Sequence, residues 1–160
     1  MSPAGYSRLQ IGLHWLIALL LVVSFISHDA VNEAMEAFEK GATEPTTGAM
    51  VHVATGIAVL VLTVLRLGLR FTRGVPAAVE GGSRVIEIVS ALTHWALLVL
   101  LIAIPVSGAM LWFGGVEQAG DLHEFLFTLG WLLVALHTAA ALFHQYVLKD
   151  GLLLRMRRPG

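Results

Sequence analysis

Seven histidines stand in a chain of 160 residues that has no cysteine. His14, His52, His123 and His137 lie inside apolar stretches, where an unpaired imidazole is costly. His123 and His137 are fourteen residues apart on one stretch. At about 1.5 Å and 3.6 residues per turn, they project from nearly the same helix face, about 21 Å apart in depth. Successive membrane crossings alternate in direction. That places His52 and His123 at one depth, and His14, His137, His94 and His144 at another. Two imidazoles from facing helices at one depth are what a bis-histidine haem requires, each binding iron axially while the flat macrocycle fills the gap between helices. Each ligand's second ring nitrogen should donate to a carbonyl or hydroxyl, fixing its orientation.

The elements that must hold these residues follow from composition. The chain is 57% hydrophobic and 13% charged, with mean hydropathy +0.80; soluble domains carry about 25% charged residues. A net charge of −1 argues against nucleic acid as a partner. The lack of cysteine excludes disulfides, thiolate metal sites, iron–sulfur clusters and covalent c-type haem attachment. Four stretches, residues 9–27, 49–69, 88–113 and 122–148, approach or exceed the roughly 20 residues needed to cross a bilayer. The first is read as a span rather than a signal peptide, because His14 and Trp15 stand near its start and no small-x-small cleavage site precedes the acidic stretch. The expected fold is all-α: a single-domain integral membrane four-helix up-down bundle over residues 1–160.

Charge sets its orientation. With the N-terminus inside, that side holds Arg8, Arg66, Arg70, Arg73, Arg84, Lys149, Arg155, Arg157 and Arg158, and the other side only Lys40. This predicts N-in/C-in. The outer side is acidic, with Asp29, Glu33, Glu36, Glu39, Glu44, Glu117, Asp121 and Glu124. In the first loop, "VNEAMEAFEK" predicts a short amphipathic surface helix. The second loop, "TRGVPAAVEGGSR", is irregular around Pro76 and its paired glycines. The third, "GGVEQAGD", is tight, with Asp121 as cap of the last helix. Pro105 should kink the third span. Gly56, Gly130, Ala140 and Ala141 are small residues placed to clear a macrocycle. His28, beside Asp29, reads as a surface residue.

At the inner level the preferred pair is His14 with His137, and spacing alone leaves His144 as the alternative to His137. His94 and His144 are otherwise candidates for a quinone site or for contacts around the ligands. Arg8, Arg66 and Arg70 are candidates for holding haem propionates, beside the simpler reading of positive-inside anchoring.

"YSRLQIGLHWL", "HVATGIAVLVLTVLRLGLR", "IPVSG" and "LHEFLFTLGWLLVALHTAAALFHQYVLKDGLLLRM" resemble the bacterial cytochrome b561 family, most of all its superoxide oxidase branch. The likeness covers essentially the whole chain. It implies four helices and two b-type haems in the bacterial inner membrane, with ligands at His14, His52, His123 and His137. It further implies electron transfer between the periplasmic face and the quinone pool, with superoxide oxidised to O2 and ubiquinone reduced.

A different class of function is a cytochrome relay subunit that exchanges electrons with a periplasmic redox protein. The acidic outer loop suits docking of a basic carrier. A histidine-lined metal or proton transporter is the third reading, though no carboxylate or methionine ladder accompanies the inner histidines.

Overall fold

The computed structural model describes residues 5–76 and 84–160. Its helices are α1 (Arg8–Ile26), α2 (Asp29–Glu39), α3 (Thr47–Arg73), α4 (Arg84–Gly114) and α5 (Gln118–Phe143), followed by a π-helical turn (His144–Leu148) and a 3-10 turn (Leu152–Met156). α1, α3, α4 and the stretch from α5 through its π turn are long and apolar enough to cross a membrane. The short α2 is the amphipathic helix expected in the first loop. Val31, Ala34, Met35 and Phe38 turn inward at helical spacing, while Glu33, Glu36 and Glu39 are exposed.

Local chemistry sets the helix ends. Ser7 and Gln10 form a reciprocal capping box on α1, with Gln10 N–H donating to Ser7 Oγ at 3.3 Å and Ser7 N–H to Gln10 Oε1 at 3.0 Å. Thr46 caps α3 by accepting from Ala49 N–H at 3.2 Å. The last long helix begins earlier than expected, at Gln118. Asp121 therefore lies in its first turn and favours the helix dipole instead of capping it. The paired glycines Gly81 and Gly82 lie outside the described residues.

α4 packs chiefly on α5 and α1 on α3, and α3 joins the two pairs by packing on α4. α5 makes no comparably close backbone approach to α1 or α3. A slot is thus left between α5 and the α1/α3 pair. The side chains buried by the bundle include Leu13, Ile17, Val59, Leu98 and Leu100, whereas Leu19, Leu65, Leu92, Val99 and Leu132 are exposed. In water such a surface would be a heavy liability; in hydrocarbon it costs nothing, and the helices satisfy their own backbone groups. The chain is a multi-pass membrane protein.

Both termini gather at one end of the bundle. Gln10 Nε2 donates to the Gly74 carbonyl at 3.1 Å, Trp15 Nε1 to the Met156 carbonyl at 2.8 Å, and Gly160 N–H to the Tyr6 carbonyl at 3.3 Å. This is the termini end. The opposite end carries α2.

Candidate functional site

Two histidine pairs bridge the slot. At the α2 end, His52 of α3 and His123 of α5 have ring centroids 6.2 Å apart and planes at 78°. At the termini end, His14 of α1 and His137 of α5 lie 6.4 Å apart at 77°. Two imidazoles bound end-on to one metal at about 2 Å each place their centroids about 6 Å apart. Both pairs meet that separation, and both span helices whose backbones stay apart. A pair of imidazoles supplies only two ligands, and among the described residues no group of three or more His, Asp or Glu is placed to hold a bare ion. A planar macrocycle is the kind of group that would supply the remaining coordination. Between the two levels a cavity is lined by Leu21 and Ser24 of α1, Leu101 of α4, and Phe127, Gly130 and Trp131 of α5. Gly56, one turn from His52 on the same face, has no atom near where a Cβ would stand.

At the α2 end the ring orientations are fixed from behind. His52 Nδ1–H donates to the Ser24 carbonyl at 2.9 Å, with the hydroxyls of Ser24 and Ser27 each 3.5 Å away. His123 Nδ1–H donates to the Ile104 carbonyl at 2.8 Å, with Ser107 Oγ at 3.3 Å. A carbonyl can only accept, so the proton sits on Nδ1 and each Nε2 keeps its lone pair for a metal. Gly108 completes the cradle, since a Cβ there would stand 3.0 Å from His123 Cε1 and 3.1 Å from Nδ1. Ser24, Ser107 and Gly108 went unnoticed as site residues in the sequence. The signal was present in "IPVSG", where a hydroxyl and a glycine follow a helix proline.

The termini end is built differently. His137 stands between His14 and His94, whose ring is 5.2 Å away at 80°. His94 lies closer than either bridging pair, and its Nδ1–H donates to its own helix at the Ser90 carbonyl, 2.6 Å away. The rings of His14 and His137 have no such hydrogen bond among the described residues. Arg66 is half-buried within electrostatic reach of His14, His94, His137 and Tyr6. It follows His52 by fourteen residues, as His137 follows His123, and so shares the level of the second pair. The Arg70 guanidinium lies 4.9 Å above the Trp95 ring, a cation–π contact that holds it at this end. Arg8 is exposed at the start of α1.

Two sequence expectations are corrected. His144 joins neither pair. It is still in α-helical register, its N–H donating to the Ala140 carbonyl, but its Nδ1 bonds Asp150 Oδ2, whose other oxygen accepts from Leu152 N–H at 3.0 Å. That bond holds the Asp150 carboxyl below its usual range. Gly130 lines the cavity between the levels and also lets α4 and α5 approach, since a Cβ there would meet Ile104 Cδ1 at 2.9 Å. His28 is no ordinary surface residue. Its ring stacks on Phe127, 4.5 Å away and 7° from parallel, and lies 5.8 Å from the His52 ring.

The family model described as prokaryotic cytochrome b561 matches residues 5–159. Cytochrome b562 of Cereibacter sphaeroides is 42% identical over 155 residues, covering 97% of this chain and 96% of that protein. The probable superoxide oxidase CybB of Yersinia pestis is 34% identical over 172 residues, covering 94% of each chain. Cytochrome b561 homolog 1 of Escherichia coli is 28% identical over 172 residues, covering 94% of this chain and 96% of that one.

Proposed function

Because the chain belongs to the prokaryotic cytochrome b561 family and is thus a membrane electron-transfer protein with b-type haem, we propose that it is a dihaem quinone-linked oxidoreductase of the bacterial inner membrane. The observation that carries this reading is the pair of bridging histidine couples with matching separations, 6.2 and 6.4 Å. His52 and His123 hold one haem iron, and His14 and His137 the other. Haem at each level supplies one-electron redox chemistry that no side chain of this chain can perform.

The chain's own residues do the rest. The Ser24 and Ile104 carbonyls orient His52 and His123 and make their Nε2 atoms better donors. The basic end faces the cytoplasm by the positive-inside rule, so the α2 end faces the periplasm. Arg66 and Arg70 offset the carboxylates of a haem at the inner end. His94, its Nδ1 proton engaged by Ser90, offers an accepting Nε2 to which a quinol hydroxyl could donate. The reaction is oxidation of two superoxide ions to O2 outside, coupled to reduction of one ubiquinone to ubiquinol with uptake of two protons. The likeness to CybB of Yersinia pestis supports superoxide as the donor.

Haem-replete protein given a steady superoxide flux should reduce a soluble ubiquinone analogue faster than spontaneous dismutation removes the superoxide. Absence of quinone reduction under that flux would remove superoxide from the scheme.

The second reading, a relay for a periplasmic redox protein, has its own observation. Glu33, Glu36 and Glu39 are exposed on α2, the helix whose Met35 and Phe38 line an apolar groove with Trp112. A field of that sign disfavours an anionic substrate and favours a basic protein. A stoichiometric soluble partner that co-purifies, and is needed for quinone reduction, would select this reading.

A further inference from the structure

His28 stands between α1 and α2, in the turn that leads out of the membrane. Three features set it apart from a surface histidine. Its ring is pinned by stacking on Phe127, which in turn lies 12° from parallel with Phe25 across the slot. It borders the His52 ring at 5.8 Å. Its Nδ1 is buried with no hydrogen-bond partner, one of three such side-chain atoms among the described residues, with Thr63 Oγ1 and Gln145 Oε1. A buried ring nitrogen without a partner is costly unless something outside the polypeptide meets it.

The surroundings indicate what that something is. A haem held by His52 and His123 would carry two carboxylates, and the α2 end is the nearer face for them. Among the described residues there, the only lysine or arginine is Lys40, which is exposed and paired with Glu36 at 3.3 Å. The arginines that would ordinarily receive haem carboxylates all lie at the other end of the bundle. We propose that His28 donates Nδ1–H to a propionate of the outer haem and is the positioning residue for that group. This rests on the dihaem reading above. It assigns to the acidic face an imidazole N–H donor where a guanidinium would be usual.

The test uses the full-length, haem-loaded protein. Haem transfer to excess apomyoglobin is followed alongside the propionate-bending bands in resonance Raman spectra. His28→Phe keeps the stack on Phe127 and removes the donor. One of the two haem-loss phases should then accelerate about tenfold, the loss expected for one hydrogen bond to a charged group. The propionate band of that haem should shift, and the other phase should stay as in wild type. His28→Asn, whose amide N–H sits close to the Nδ1 position, should restore both readouts. His28→Gln, whose amide sits further out, should not. The Asn and Gln pair decides the matter if the Phe variant does not accumulate.

Unchanged rates and bands in His28→Phe would overturn the proposal. So would equal acceleration in the Asn and Gln variants, which would trace the effect to packing on Phe127. A wild type that holds fewer than two haems would instead bring down the dihaem reading and this proposal with it, so haem content is measured first.

Discussion

The two ends of the bundle use the same pair of side chains in opposite settings. At the α2 end, both imidazoles are fixed from behind by backbone carbonyls, and the surrounding charge is acidic. At the termini end, the bridging rings of His14 and His137 lack such fixation among the described residues, a third imidazole crowds in, and Arg66 and Arg70 bring positive charge. Geometry therefore makes the two levels alike as ligand sites, whereas electrostatics makes them unlike as redox sites. Negative surroundings oppose addition of an electron and guanidinium groups favour it. Under the proposed dihaem scheme, the inner centre has the higher potential and electrons run downhill from the acidic face to the basic one.

The strongest break in the comparison is steric. Gly108→Leu forces a side chain into the position now filled by the His123 ring. It should abolish haem binding at the α2 end and spare the termini end, so haem per chain falls by half while the remaining b-type spectrum keeps the inner potential. Loss of both haems would show that the two levels do not fold independently.

Next in size is the charge test. Arg66→Gln should lower the inner midpoint potential by about 60 mV, a tenfold change for a one-electron couple, and leave the outer one in place. An equal shift of both potentials in a redox titration would contradict the local origin of the asymmetry.

A smaller effect sharpens the contrast in ligand fixation. Ser107→Ala removes a hydroxyl 3.3 Å from His123 Nδ1 but leaves the 2.8 Å bond to the Ile104 carbonyl. Affinity for the outer haem should drop by no more than about threefold, measured as the haem-loss rate. A larger loss would mean that the hydroxyl, rather than the carbonyl, orients the ring.

Much of this was legible in the sequence because depth follows from counting. Span length, the fourteen-residue interval between His123 and His137, and the division of basic residues all survive translation into coordinates, since a membrane helix has a fixed rise and little freedom to deviate. What escaped depends on contacts beyond a residue's own helix or on where a helix begins. His28 looked superficial beside Asp29 because the ring that covers it, Phe127, comes from the last long helix. Gly130 was legible as a small residue at the cavity, but not its contact with Ile104 of the adjacent helix. His144 keeps α-helical step with His137, but its ring is engaged by Asp150, which lies beyond the helix. Asp121 missed the cap because the helix begins at Gln118. Ser24 and Ile104 contribute through their carbonyls, which every residue has, so no residue type could have marked them.

The smallest predicted effect lies outside both haem levels. Asp150→Asn should leave haem content and potentials unchanged and loosen only the C-terminal segment, read as faster carboxypeptidase trimming. Its bond to His144 lowers the Asp150 pKa. The contact is therefore present above the ordinary carboxylate range and is lost as pH falls through the lowered value. Wild-type trimming should accelerate in that acidic window, and the Asn variant should show no such step.

The most direct measurement is haem per polypeptide by pyridine haemochrome, made on the wild type, His52→Ala, His137→Ala and the double variant. Two b-haems should be found in the wild type, one in each single variant with distinguishable potentials, and none in the double variant. A single haem in the wild type, or two single variants that lose the same haem, would contradict paired imidazoles at two depths.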